Sequence, residues 1–205
     1  NARLRDLPET ALIFTWTYFF ALGFAFLDWA STWKGWKKRL YVAKPATLLF
    51  LILWTVQTTG WQEGMLWFGI ALVFSLIGDI LLMLNPRYFM SGLGAFLLAH
   101  IAYLVGFNRS PAPLSWGVIL VAVLVGISAA RAFRLLQPGI LRVPRGKRFL
   151  SAVGAYGLSL TLMMLSALLT LFRTEWTPTH ALLVSAGAVL FFISDTTPSA
   201  WHMSS

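Results

Sequence analysis

Three ionisable side chains sit where such groups are expensive, and their types suggest acid–base chemistry. The stretch Ser75 to Tyr103 reads SLIGDILLMLNPRYFMSGLGAFLLAHIAY, two apolar runs separated by the polar break Asn85-Pro86-Arg87. Asp79 lies inside the first run and His100 inside the second, while Asp195 falls near the end of the last apolar run of the chain. An ionisable group held at bilayer depth is costly and marks a functional site by default. Two carboxylates in different surroundings can divide one task, a protonated carboxyl donating as general acid and an ionised carboxylate steadying a cation or activating water. Ser75 stands one turn before Asp79, and Tyr103 one turn beyond His100 on the same helical face. Lys44, at the start of the second apolar run, is a further candidate to stand near these carboxylates. Asn85, in the break, is a further candidate for positioning substrate.

Each of these has a plainer reading. Asp79 paired with Lys44 or a loop arginine would lock a bundle, Asp195 would cap a helix end, and His100 would be a packing imidazole bonded to Ser75 or to a neighbouring helix. Together, two carboxylates, a lysine and an imidazole–phenol pair exceed what bundle stability requires.

The elements that must position them are membrane spans. Of 205 residues, 58% are hydrophobic and 11% charged, against about 25% charged in soluble domains. Ten Trp and sixteen Phe suit a chain with aromatic residues at both interfaces. Seven apolar runs of roughly the ~20 residues needed to cross a bilayer are expected at about 11–30, 44–60, 65–84, 88–107, 114–132, 149–172 and 178–197. Without water to satisfy the backbone they must be helices. The fold class is therefore all-α, a polytopic helical bundle forming one domain over residues 1–205. Lys44-Pro45 is expected to open the second span, since proline suits a first helical turn. The first run is too long for a signal-peptide core, with no small-residue cleavage site after it, so it reads as a retained span. Ser91, Ala95 and Ala99, and again Ser151, Gly154 and Gly157, read as close helix–helix contacts.

The net charge of +9 points to lipid and topology rather than nucleic acid, because the charges cluster between apolar runs and form no continuous basic face. Placing the loops after spans one, three and five in the cytoplasm collects Lys34, Lys37, Lys38, Arg39, Lys44, Arg87, Arg131, Arg134, Arg142, Arg145, Lys147 and Arg148, 12 of the 16 basic residues. Arg3, Arg5, Arg109 and Arg173 remain outside. The positive-inside rule then sets the N-terminus outside. Asp79 lies ~7 Å from the inner end of its span, at a depth similar to Asp195 and Lys44.

Other chemistries fit less well. There are no cysteines, so thiolate and disulfide chemistry is excluded. The three histidines, His100, His180 and His202, fall at depths too different for one tri-histidine zinc site. A nucleophile elbow and a phosphate-binding glycine loop are absent. No cofactor is implied.

The motifs resemble a known family. Lys44-Pro45, the run Gly78-Asp79 to Leu82-Met83, His100 with Tyr103, Tyr156 in the sixth span and the Phe192-Ile193-Ser194-Asp195 ending are similar in kind and order to the YhhN/lysoplasmalogenase family. The resemblance implies a polytopic membrane hydrolase that cleaves the vinyl ether bond of lysoplasmalogens, giving a fatty aldehyde and glycerophosphoethanolamine or glycerophosphocholine. Asp79 and Asp195 would be its catalytic pair, with Tyr156 among the residues that bind or position substrate and a lysophospholipid as partner. It also implies an eighth span after the S-D element, where this sequence holds only Thr196 to Ser205. The rival class is a membrane lipid-binding or small-solute transport protein that uses the same polar groups without breaking a bond. A hydrolase of other lipid head groups or ethers is a third.

Overall fold

The structure, a computed structural model, describes residues 16–27, 37–62, 64–141 and 146–196, with side chains described from 42 in the second of these segments and from 149 in the last. Everything regular in them is helical: α1 (Trp16–Leu27), α2 (Lys37–Thr59), α3 (Met65–Leu84), α4 (Phe89–Phe107), α5 (Trp116–Leu141), α6 (Gly146–Leu169) and α7 (Pro178–Thr196). Six of them, α2 to α7, are long and apolar enough to cross a membrane. The fold is an all-α polytopic bundle, as the composition requires. Only twelve residues of the first expected span, those of α1, fall among the described residues.

The chain forms two compact units, Asn1–Ala99 and His100–Ser205. In the first, α1 meets α2 through an aromatic row, with Phe50 stacked between Phe20 and Phe24, Tyr18 tilted on Trp54, and Thr17 Oγ1 donating to Gln57 Oε1 at 3.1 Å. The helix α2 stops where Gly60 and Trp61 take left-handed backbone angles, φ 58° and 53°. For tryptophan that conformation is strained. It is held by Trp61 N–H donating to Thr59 Oγ1 and by the indole N–H reaching Thr55 Oγ1. The indole then lies against Gly69 of α3, where a Cβ would come within 2.3 Å of it. Asn85 caps the turn Pro86–Tyr88, its side-chain oxygen accepting from Arg87 N–H at 3.0 Å, and proline takes the first position where no donor is needed.

The contact of α3 with α4 explains the glycine of the Gly78-Asp79 motif. A Cβ on Gly78 would sit 2.6 Å from the Phe96 ring, and one on Gly92 would sit 2.8 Å from Leu82 and 3.3 Å from the Gly78 carbonyl. Two helices approach here closely enough that only hydrogen fits.

In the second unit α5 packs on α6 and α6 on α7. Its core is the inner face of α6, where Val153, Tyr156, Ser159, Leu160, Met163, Met164, Ser166 and Ala167 are all buried. By contrast α5 buries only Val125 and Ile140 and turns most of its apolar side chains outward, as a lipid-facing helix does.

Two element boundaries differ from expectation. The helix α2 begins at Lys37, so Pro45 lies inside it and does not open it. The helix α5 continues to Leu141 with Pro138 inside, so Arg131 and Arg134 ride on an exposed helical turn rather than in a loop. The cause is the same in both: Lys, Arg, Leu and Ala favour helix, so the helix runs on past the apolar stretch. The expected glycine contacts of α6 also change character. A Cβ on Gly157 would meet nothing within 4 Å and one on Gly154 only an ordinary contact at 3.7 Å with Phe133, so these glycines leave space instead of closing it.

Candidate functional site

The second unit gathers the polar side chains of three helices around Tyr156. That phenol is buried on α6, and its hydroxyl donates to Asp195 Oδ2 near the end of α7. From α4, the His100 ring lies 5.1 Å from the Tyr156 ring at 41°, and Phe191 of α7 meets it edge-on at 6.0 Å. His100 is 1% exposed. Its Nδ1 lies 3.1 Å from Ser159 Oγ, and Ser159, one turn beyond Tyr156, itself donates to the Tyr156 carbonyl at 2.7 Å. The other ring nitrogen, Nε2, is buried with no hydrogen-bond partner among the described residues.

Beside this cluster is a cavity of about 440 Å³ between α5, α6 and α7. Its walls are apolar and built from small residues, including Gly126, Ala129 and Ala130 of α5 and Gly154 and Gly157 of α6. Tyr156 and Asp195 contribute to its lining, together with Thr161 and Thr196. A cavity of this kind, apolar along its walls with a few polar groups, is the form a small-molecule site takes.

Of the residues singled out in the sequence, this unit brings together His100, Tyr156 and Asp195. Tyr103 is half-buried and stacks on Phe107 at 6.2 Å. In the first unit, Asp79 is half-buried on α3 and is not without a partner, Ser75 is half-buried one turn before it, and Lys44 is exposed on α2. Asn85 is exposed and its oxygen is engaged in capping. Among the described residues no three His, Cys, Asp or Glu side chains are grouped as a metal site.

Sequence reasoning missed Ser159 and Arg173. Ser159 carried one signal, its place three residues after Tyr156 within an apolar helix. Arg173, assigned to an outer loop, is 5% exposed, with one guanidinium nitrogen donating to the Phe107 carbonyl and the other to Asn108 Oδ1 at 2.8 Å. Burial lowers its pKa from the usual arginine range, and Glu175 opposes that shift.

Residues 40–203 match the YhhN family. The chain belongs to that family. Among its YhhN-type relatives, Lysoplasmalogenase TMEM86B of Rattus norvegicus is 32% identical over 162 residues, covering 78% of this chain and 59% of the relative. The protein of the same name from Sus scrofa is 30% identical over 186 residues, covering 90% of this chain and 72% of the relative. The membrane protein YhhN of Escherichia coli O157:H7 is 29% identical over 112 residues, 54% of each chain. The chain thus spans between about half and three quarters of the length of these YhhN relatives. No solved structure gives a significant match.

Proposed function

We infer that this membrane protein is a hydrolase of the vinyl ether bond of lysoplasmalogens, releasing a fatty aldehyde and glycerophosphoethanolamine or glycerophosphocholine. One observation carries the reading: an apolar cavity among membrane helices is lined in part by a hydrogen-bonded phenol–carboxylate pair. The cavity suits a single hydrocarbon chain, and the polar pair suits the ether oxygen where that chain begins. The names of the mammalian relatives support the same substrate.

In the proposed reaction a carboxylic acid gives its proton to the β-carbon of the vinyl ether. The double bond becomes an oxocarbenium ion, and water adds to its carbon while giving up a proton to a base. The resulting hemiacetal gives its hydroxyl proton to a carboxylate as its bond to the glycerol oxygen breaks, and that oxygen takes the proton which the base had received from water, leaving aldehyde and alcohol. The sum is one water consumed per ether cleaved. Asp195, accepting from Tyr156, takes the part of the ionised carboxylate that steadies the cation and receives the water's proton. Asp79 takes the part of the acid on the strength of its place within a span. Lys44, Ser75, Asn85, His100 and Tyr103 bind or position lipid and water. The site opens toward the inner leaflet, with the N-terminus outside and the basic loops in the cytoplasm.

The test is aldehyde release from a lysoplasmalogen by the purified protein beside Asp79→Asn and Asp195→Asn. Both variants should fold and lose turnover by a factor of about 10² or more. Turnover retained in both removes the carboxylate assignment, and tight lysolipid binding without aldehyde release would make the protein a lipid binder or transporter.

A further inference from the structure

The hydrogen bonds around Ser159 determine which nitrogen of His100 carries its proton. A serine hydroxyl has one proton to give, and Ser159 gives it to the Tyr156 carbonyl at 2.7 Å. Towards His100 Nδ1, 3.1 Å away, Ser159 can then only accept. The imidazole must donate through Nδ1–H, which in the neutral ring leaves Nε2 as a bare lone pair. That lone pair is buried and has no partner among the described residues, on a ring that is 1% exposed. An orphaned buried acceptor is costly, so a native structure that keeps one, on a ring 5.1 Å from that of Tyr156, keeps it for a donor that arrives.

We propose that Ser159 is a positioning residue that fixes His100 in the Nδ1–H form, so that Nε2 accepts a hydrogen bond from a hydroxyl in the reaction, either the attacking water or the free glycerol hydroxyl of the lysolipid. The proposal rests on the hydrolase reading above. A protonated ring, or one carrying its proton on Nε2, would present a donor where an acceptor is required. Ser159 therefore acts on the reaction through His100 without touching substrate.

The experiment has a spectroscopic and a kinetic half, both on the full chain. With ¹⁵N-labelled histidine, the His100 ring resonances, assigned by their loss in His100→Gln, should report a protonated Nδ1 and an unprotonated Nε2. Ser159→Ala should move the proton toward Nε2, and Ser159→Thr, which keeps the hydroxyl, should restore the original form. Kinetically, Ser159→Ala should lower kcat/KM for the lysoplasmalogen about tenfold to a hundredfold, with recovery in Ser159→Thr. Two substrates separate the sources of the hydroxyl, a lysoplasmalogen and its analogue lacking the glycerol hydroxyl. If water is the donor, the penalty falls on kcat with both; if the lipid hydroxyl is the donor, it falls on KM and disappears with the analogue. A wild-type His100 protonated on Nε2, or Ser159→Ala with unaltered kcat and KM, overturns the proposal. Absence of turnover in the wild type would count against the hydrolase reading alone, because the nitrogen resonances still decide the tautomer.

Discussion

A charge taken out of water needs partners, and Arg173 finds them for its two terminal nitrogens, while its buried Nε has none among the described residues. Its two terminal nitrogens donate to the Phe107 carbonyl and to Asn108 Oδ1, and Asn108 Nδ2 in turn donates to Ser166 Oγ at 2.7 Å and to the Leu104 carbonyl at 2.9 Å. One guanidinium thus ties the end of α4, where carbonyls lack helical donors, to the segment between α6 and α7. Arg173→Met should leave the buried Phe107 carbonyl without its side-chain donor while the exposed Asn108 turns to water, and destabilise the protein by about 1–3 kcal/mol. A lowered thermal midpoint in detergent would register this. Aldehyde release per folded molecule should stay at the wild-type level, since Arg173 and Asp195 flank opposite ends of α7. None of this was legible in the sequence, because Arg173 and Asn108 stand 65 positions apart and one loop arginine looks like another. His100 was visible as an imidazole in an apolar run, whereas its bond to Ser159, 59 positions away, was not.

At the scale of elements, glycines do two opposite jobs, and substitution should tell them apart. Gly78→Ala would push a methyl to 2.6 Å from the Phe96 ring, so overpacking should cost about 1–3 kcal/mol, seen as a lower unfolding midpoint. Gly157→Leu would enter open space in the cavity. It should fold normally and shift preference toward lysoplasmalogens with shorter chains, measured as the ratio of kcat/KM for long and short alkenyl groups. An unchanged ratio would place the chain somewhere other than this cavity. From the sequence alone both glycines were small residues at helical spacing, and nothing local separates a close contact from a gap. Helix identity was legible, because apolar length decides it; helix ends were less so. The 26 residues of α5 span ~39 Å at 1.5 Å each, more than ~30 Å of hydrocarbon, so its last turn and a half passes the hydrocarbon, and Arg131 and Arg134 just before it can extend their long side chains toward the headgroups.

For the whole molecule, the orientation proposed from the charge distribution is easy to test in a cysteine-free sequence. Arg109→Cys should react with a membrane-impermeant maleimide on intact cells, and Arg142→Cys only after permeabilisation; the reverse pattern would invert the proposed topology. The membrane setting could be read from composition, and the order of the helices from apolar runs and the short polar segments between them. What three helices do together around Tyr156 could not be, since it depends on which faces meet. The cavity between α5, α6 and α7 is walled by helices of membrane-crossing length, and this reaches into how the protein must be assayed. A substrate that enters such a cavity comes from the surrounding amphiphile, not from bulk water. Its effective concentration is then a mole fraction within the bilayer or micelle, and adding detergent at constant total substrate should slow the proposed reaction by surface dilution.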